Sequence, residues 1–157
     1  MKNIILRDTS QRKVQQPIDF NQLSLLKNIQ TKQMTSIEEM TPTEEICLRE
    51  IRKKQSGYKS QDKLKHKYDE QQHITLRELI DKMVDSELTC YYCNKELLIL
   101  YNKKKESLQW TLERLNNHLG HYKDNTCISC LKCNLGRRTE NYEYYKKGKT
   151  MILQKLI

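Results

Sequence analysis

Five of the six cysteines in this 157-residue chain fall in two tight groups, Cys90-x-x-Cys93 and Cys127-x-x-Cys130-x-x-Cys133, with Cys47 standing alone. A CxxC knuckle lets two thiolates reach one ion, and two knuckles close a tetrahedral site that suits structural zinc. Cys127 competes with Cys133 as the partner of Cys130, and the favoured set is Cys90, Cys93, Cys130 and Cys133. The CxxC spacing speaks against a secreted disulfide framework. So does the opening MKNIILRDTSQRK, whose apolar run is too short for a signal peptide. Cys47, with Ile46 and Ile51 on an expected helix, reads as a small buried hydrophobe.

A second set of residues lies between and just after the knuckles. Glu113 and Asn134 are oxygen donors, and hard cations such as Mg²⁺ prefer oxygen. His118 and His121 stand in the loop between them, and histidine is the side chain most often used as a general base. Hydrolysing a phosphodiester needs a base to activate water and a cation to stabilise the departing oxygen. The basic residues Arg137 and Arg138, together with the lysine run Lys103, Lys104 and Lys105, can hold phosphates by direct pairing and counterion release.

The elements that must position these groups follow from local patterning. Residues 1–40 are polar and Gln-rich and read as an arm with at most one short helix, around Phe20 to Ile29. Thr41 caps a helix with Pro42 in its first turn and Glu44 and Glu45 at the positive end of the dipole; it should stop by Gly57. The segment YKSQDKLKHKYDEQQHIT reads as an exposed basic connector. Thr75 caps the next helix, with Leu76, Leu79, Ile80, Met83 and Val84 at helical spacing. Residues 41–87 thus form a helical segment. From Leu88 the period changes. LLILY and LQWTLERL read as two strands of a hairpin around NKKKES, and CLKCNLGRRTENYEYY reads as one helix. Asn134, Arg137, Arg138 and Asn141 would then share a face. Residues 143–157 are a weak tail.

Composition limits what this architecture can be. Lys and Arg number 29 against 20 Asp and Glu, a net charge of +9, and mean hydropathy is −0.89. There is no alanine and valine occurs only at Val14 and Val84, so Leu, Ile, Tyr and Met must build the core. A large parallel-sheet enzyme is excluded, and no stretch approaches the roughly 20 apolar residues of a membrane span. The expectation is an intracellular basic protein of nucleus, cytoplasm or virion, with no membrane partner.

CxxC, then TLERLNNHLGHYKDN, then CISCLKCNLGRR resembles the zinc-stapled HNH nucleases of the ββα-metal class, in the type found in phages and large DNA viruses. The resemblance spans residues 88–142 and implies an α+β fold with a small ββα-metal core. It maps the zinc ligands to Cys90, Cys93, Cys130 and Cys133, the helix metal ligand to Asn134, a loop-bracing asparagine to Asn125 and a basic helix residue to Arg137. It implies a metal-dependent endonuclease acting on nucleic acid, expected to be DNA, with structural Zn and catalytic Mg or Mn. Glu113-Arg114 stands where most of the family carries Asp-His. Glutamate still binds a metal, but arginine stays protonated and cannot be a base. Arg114 shares the strand parity of Trp110 and Leu112 and reads as a structural or phosphate-binding residue. The base then falls to His121, with His118 second. Without a base the chain would be a silent zinc module that binds nucleic acid, or a viral accessory or structural protein.

Overall fold

The computed structural model describes residues 21–35 and 39–151. Its elements are helices α1 (Gln22–Thr35), α2 (Pro42–Leu64) and α3 (Leu76–Asp85), strand β1 (Trp110–Arg114), a 3-10 turn (Lys123–Asn125), strand β2 (Thr126–Cys130), and helices α4 (Leu131–Arg137) and α5 (Tyr142–Thr150). This is a mixed helix and strand fold. Among the described residues no helix is long and apolar enough to cross a membrane.

Two capping boxes start the central helices as the sequence suggests. Thr41 with Glu44 opens α2, and Thr75 with Glu78 opens α3. Lys32 of α1 adds an ion pair to Glu44 at 2.8 Å. The expected stop at Gly57 is wrong, because α2 runs on to Leu64. A mid-helix glycine costs only about 1 kcal/mol relative to alanine. Past it, Tyr58 packs against the core and Asp62 is buried, so tertiary contacts carry the helix through. His66, at φ 55°, supplies the left-handed turn that ends it. The first part of the expected exposed connector is therefore helix with a buried face. Helix α1 reaches Thr35, longer than the short helix expected; residues 1–20 of the expected arm lie outside the described residues.

The expected hairpin is also corrected. LLILY forms no strand, and Leu98 makes only an isolated bridge to Gln109. Gln22 of α1 does what a neighbouring strand would have done. Its Oε1 accepts from the amides of Ile99 and Leu100 at 2.7 and 3.0 Å, and its Nε2 donates to the Leu100 carbonyl at 3.0 Å. With the backbone bonds of Leu97 and Leu98, these contacts pair the amides of residues 97–100 without a ladder. The antiparallel pair is instead β1 with β2, in the register Trp110 to Cys130 and Glu113 to Cys127.

The single helix expected after the second knuckle is two. Arg138 takes φ 53° after α4, and Asn141 caps α5, so Asn141 does not share the α4 face. One buried cluster joins α1, α2 and α3 (Leu26, Ile51, Leu79, Met83) to Tyr92, Trp110, Leu112 and Ile128. Residues of the helical segment and of the knuckle region thus share one core, with strand, strand and helix (β1, β2, α4) standing on its side.

Candidate functional site

The two knuckles meet where β2 runs into α4. The Sγ atoms of Cys90, Cys93, Cys130 and Cys133 lie within 4.8 Å of one another, with Cys93 and Cys130 3.9 Å apart. Zinc–sulfur bonds of about 2.3 Å in a tetrahedron put neighbouring sulfurs about 3.8 Å apart, so the cluster fits such an ion. Cys130 caps α4, its Sγ accepting from the Cys133 amide at 3.3 Å, and Cys90 Sγ accepts from the Cys130 amide at 3.3 Å. Such N–H bonds favour thiolates, and a hydrogen bond from Cys130 pulls Cys90 down to about 4. Cys127 is not part of the group. Its thiol sits on β2, 3.9 Å from Glu113 Oε2, and burial pushes it up to about 12. Strand alternation separates it from Cys130, which decides between the two candidates. Cys47 is fully buried and likewise pushed up to about 12 by burial.

Among the described residues no second strand covers the outer edge of β1, which is open in that sense, and a cavity of about 580 Å³ lies along it between α2 and α4. Glu113, Arg114, His121, Asn134 and Arg138 all line it, joined by Lys54, Tyr58 and Thr111. Residues far apart in the chain therefore face one space. His118 is exposed and does not line it, and Lys103, Lys104 and Lys105 lie in an exposed turn away from it.

His121 is the residue held most firmly. Asp62 Oδ2 accepts from its backbone amide at 2.7 Å, and Oδ1 lies 2.8 Å from its Nδ1. Tyr58 lies against the imidazole, ring centroids 4.6 Å apart, and donates nothing to it; the Tyr58 hydroxyl accepts from the Leu112 amide on the open strand edge at 3.0 Å. Burial lowers the His121 pKa to about 4 against the pull of Asp62, so the ring is neutral at pH 7. The preceding Gly120 is required by this packing. A Cβ there would strike the Lys67 carbonyl and stand 2.8 Å from Asp62 Oδ2.

Asn125 ties the loop that carries His121. Its Oδ1 accepts from the Asn116 amide at 2.9 Å, and its Nδ2 donates to the Asn116 and Gly120 carbonyls, each at 3.0 Å. Asn134 Nδ2 donates to Thr111 Oγ1 at 3.1 Å, which leaves the amide oxygen as the atom suited to a cation. Glu113 is buried and gives Oε1 to Arg137 at 3.2 Å. Burial raises its pKa above the ordinary carboxylate value, and the Arg137 charge opposes that rise.

Arg137, expected to contact phosphates, is instead a buried brace. Besides Glu113 it donates to the carbonyls of Glu140, Arg114 and Leu115 at 2.7, 2.6 and 2.6 Å. Guanidinium groups suit such forks, and this one knots α4 to the end of β1. Arg114 and Arg138, by contrast, line the cavity. Arg114 Nη1 reaches the Leu119 carbonyl at 3.3 Å, and Asn117 Nδ2 donates to the Arg138 carbonyl at 3.0 Å.

Tyr58 and Asp62 escaped the sequence reading because the expected helix ended at Gly57 and the following residues read as solvated; Lys54, inside that helix, carried no signal of its own. For Tyr58 and Asp62 a signal was present. Continuing the stripe from Leu48 and Ile51 at three- and four-residue steps through Gln55 and Tyr58 lands on Asp62. Comparison with protein-family models, curated proteins and solved structures finds no match for the chain.

Proposed function

We propose that this chain is a metal-dependent endonuclease of the zinc-stapled HNH type, hydrolysing phosphodiester bonds of DNA. The observation that carries the reading is the convergence of His121, Glu113 and Asn134 with Arg114 and Arg138 on one cavity at the open edge of β1. A histidine neutral at pH 7 is in the form a general base needs. His121 takes a proton from water, the water oxygen attacks phosphorus, and the bond to the 3′-oxygen breaks. Arg114 and Arg138 bind the flanking phosphates as fixed cations. Glu113 through Oε2 and Asn134 through its amide oxygen would hold Mg²⁺ or Mn²⁺, which supplies positive charge near the leaving oxygen when bound. The four-cysteine cluster holds zinc and staples the start of α4 to the first knuckle.

The test is nicking of supercoiled plasmid by zinc-loaded protein with added Mg²⁺ or Mn²⁺, beside an EDTA control. Nicking should need the added metal, and His121→Ala should lower its rate about 10²- to 10⁴-fold with DNA binding retained. Undiminished nicking by that variant would remove His121 as base.

One observation favours a second reading, a silent zinc module that binds nucleic acid. Glu113 is already paired with Arg137, and Arg114 stands where the resemblance expects a histidine base. DNA binding that weakens steeply with salt, without any metal-dependent product, would select it.

A further inference from the structure

One carboxylate from α2 holds His121 twice, although the two residues are 59 positions apart in the chain. Asp62 is fully buried. A carboxylate taken out of water is costly unless bonded, so its partners account for its presence. Its two side-chain hydrogen bonds go to the main chain and the ring of a single residue. The backbone bond to Oδ2 alone would anchor the loop; the second bond, from Oδ1 to the ring, does something else. An ionised carboxylate only accepts hydrogen bonds, so Nδ1 must carry the proton in a neutral ring and Nε2 must carry the lone pair. His73 also approaches the carboxylate, its Nδ1 3.6 Å from Oδ2, outside hydrogen-bond distance.

We infer that Asp62 is the positioning residue of His121, holding it in the Nδ1–H tautomer so that Nε2 faces its task as proton acceptor. This rests on the nuclease reading above. In the step it serves, a water O–H bond breaks and the proton goes to Nε2. The electron pair stays on oxygen and forms the new bond to phosphorus as the bond to the 3′-oxygen breaks, and that oxygen is then protonated by solvent. Orientation of a base by a carboxylate is worth orders of magnitude in rate because the wrong tautomer presents a proton where a lone pair is needed. Here the carboxylate comes from outside the strand–strand–helix unit, so α2 is part of the machinery rather than a neighbour of it. Gly120 is what lets the loop come close enough for both bonds.

The tautomer can be read directly. In zinc-loaded full-length protein with ¹⁵N-labelled histidine, His121 should show a protonated Nδ1 and an unprotonated Nε2 at pH 7.5. Asp62→Asn should reverse this, because its amide can present an N–H to Nδ1, and nicking should fall about 10²-fold or more with DNA affinity unchanged. If that variant does not fold, as judged by zinc content and circular dichroism, the wild-type tautomer alone decides. A wild-type ring protonated at Nε2, or Asp62→Asn nicking at the wild-type rate, overturns the inference while leaving the nuclease reading intact. Wild-type protein that has the Nδ1–H tautomer and nicks no DNA overturns the nuclease reading, and with it the catalytic purpose of the pair.

Discussion

Burial strips His121 of hydration and lowers its pKa to about 4, while the neighbouring Asp62 carboxylate pulls in the opposite direction and loses. The imidazole should therefore titrate near pH 4 by NMR; a midpoint near the ordinary histidine value of about 6.5 would mean that water reaches the ring. The sign for stability follows. The native state binds fewer protons than the unfolded chain between the folded and unfolded pKa values, so stability rises with pH across that window. The contribution of His121 is complete above about pH 6.5 and drains away as pH falls toward 4. His73 acts in the same direction, because burial lowers its pKa too. Glu113 has a raised pKa and acts oppositely in its own range, losing stability as pH rises through it. As a base His121 would stay competent through mildly acidic conditions, so an acid limb of activity should lie well below the usual histidine range.

Among the elements, the end of the buried stretch 97–101 is held by a side chain, whereas Leu97 and Leu98 bond to backbone. Gln22 supplies three hydrogen bonds to the backbone of Ile99 and Leu100. Removing them leaves buried amides and a carbonyl without partners, each worth about 1–3 kcal/mol. Gln22→Ala should lower the urea midpoint by a matching amount while leaving zinc content unchanged. A neutral result would show that 97–101 finds other partners or opens to water. The same device explains why the short apolar run there reads as a strand. The residues are right for burial, and what a partner strand would supply comes from the first turn of α1. Helix α2 shows the converse, with local signals favouring a stop at Gly57 and packing of Tyr58 and Asp62 prolonging it.

At the scale of the whole molecule, the four-cysteine cluster and the hydrophobic core divide the labour. A 157-residue chain with no alanine and a net charge of +9 builds its core chiefly from Leu, Ile and aromatic residues, and that core already joins all three N-terminal helices to the sheet. The cysteine cluster then ties the start of α4 to the first knuckle. Cys133→Ser should lower the bound zinc well below one per chain and destabilise α4, since ligand loss costs folding energy directly. Cys127→Ser should keep the zinc of the wild type, because its thiol faces Glu113 instead. Elemental analysis of the two purified variants separates these outcomes, and zinc loss in both would make Cys127 part of the site.

The four clustered cysteines, both threonine helix caps and the mixed helix and strand class were legible in the chain because each depends on residues only a few positions apart. Two thiols three apart can reach one ion, and a threonine three before a glutamate can cap a helix, whatever surrounds them. Cys133 was favoured from spacing alone; the exclusion of Cys127 follows from the strand register, which sets it opposite Glu113 while Cys133 sits in α4. The candidate residues Glu113, His121 and Asn134 could be named from type and spacing. Their meeting at the open edge of β1, the loss of Arg137 to a buried brace and the grip of Asp62 on His121 were decided only by the tertiary structure. Those relations join positions some 20 to 60 residues apart, where local propensity carries no information and burial against a shared core selects which side chains meet.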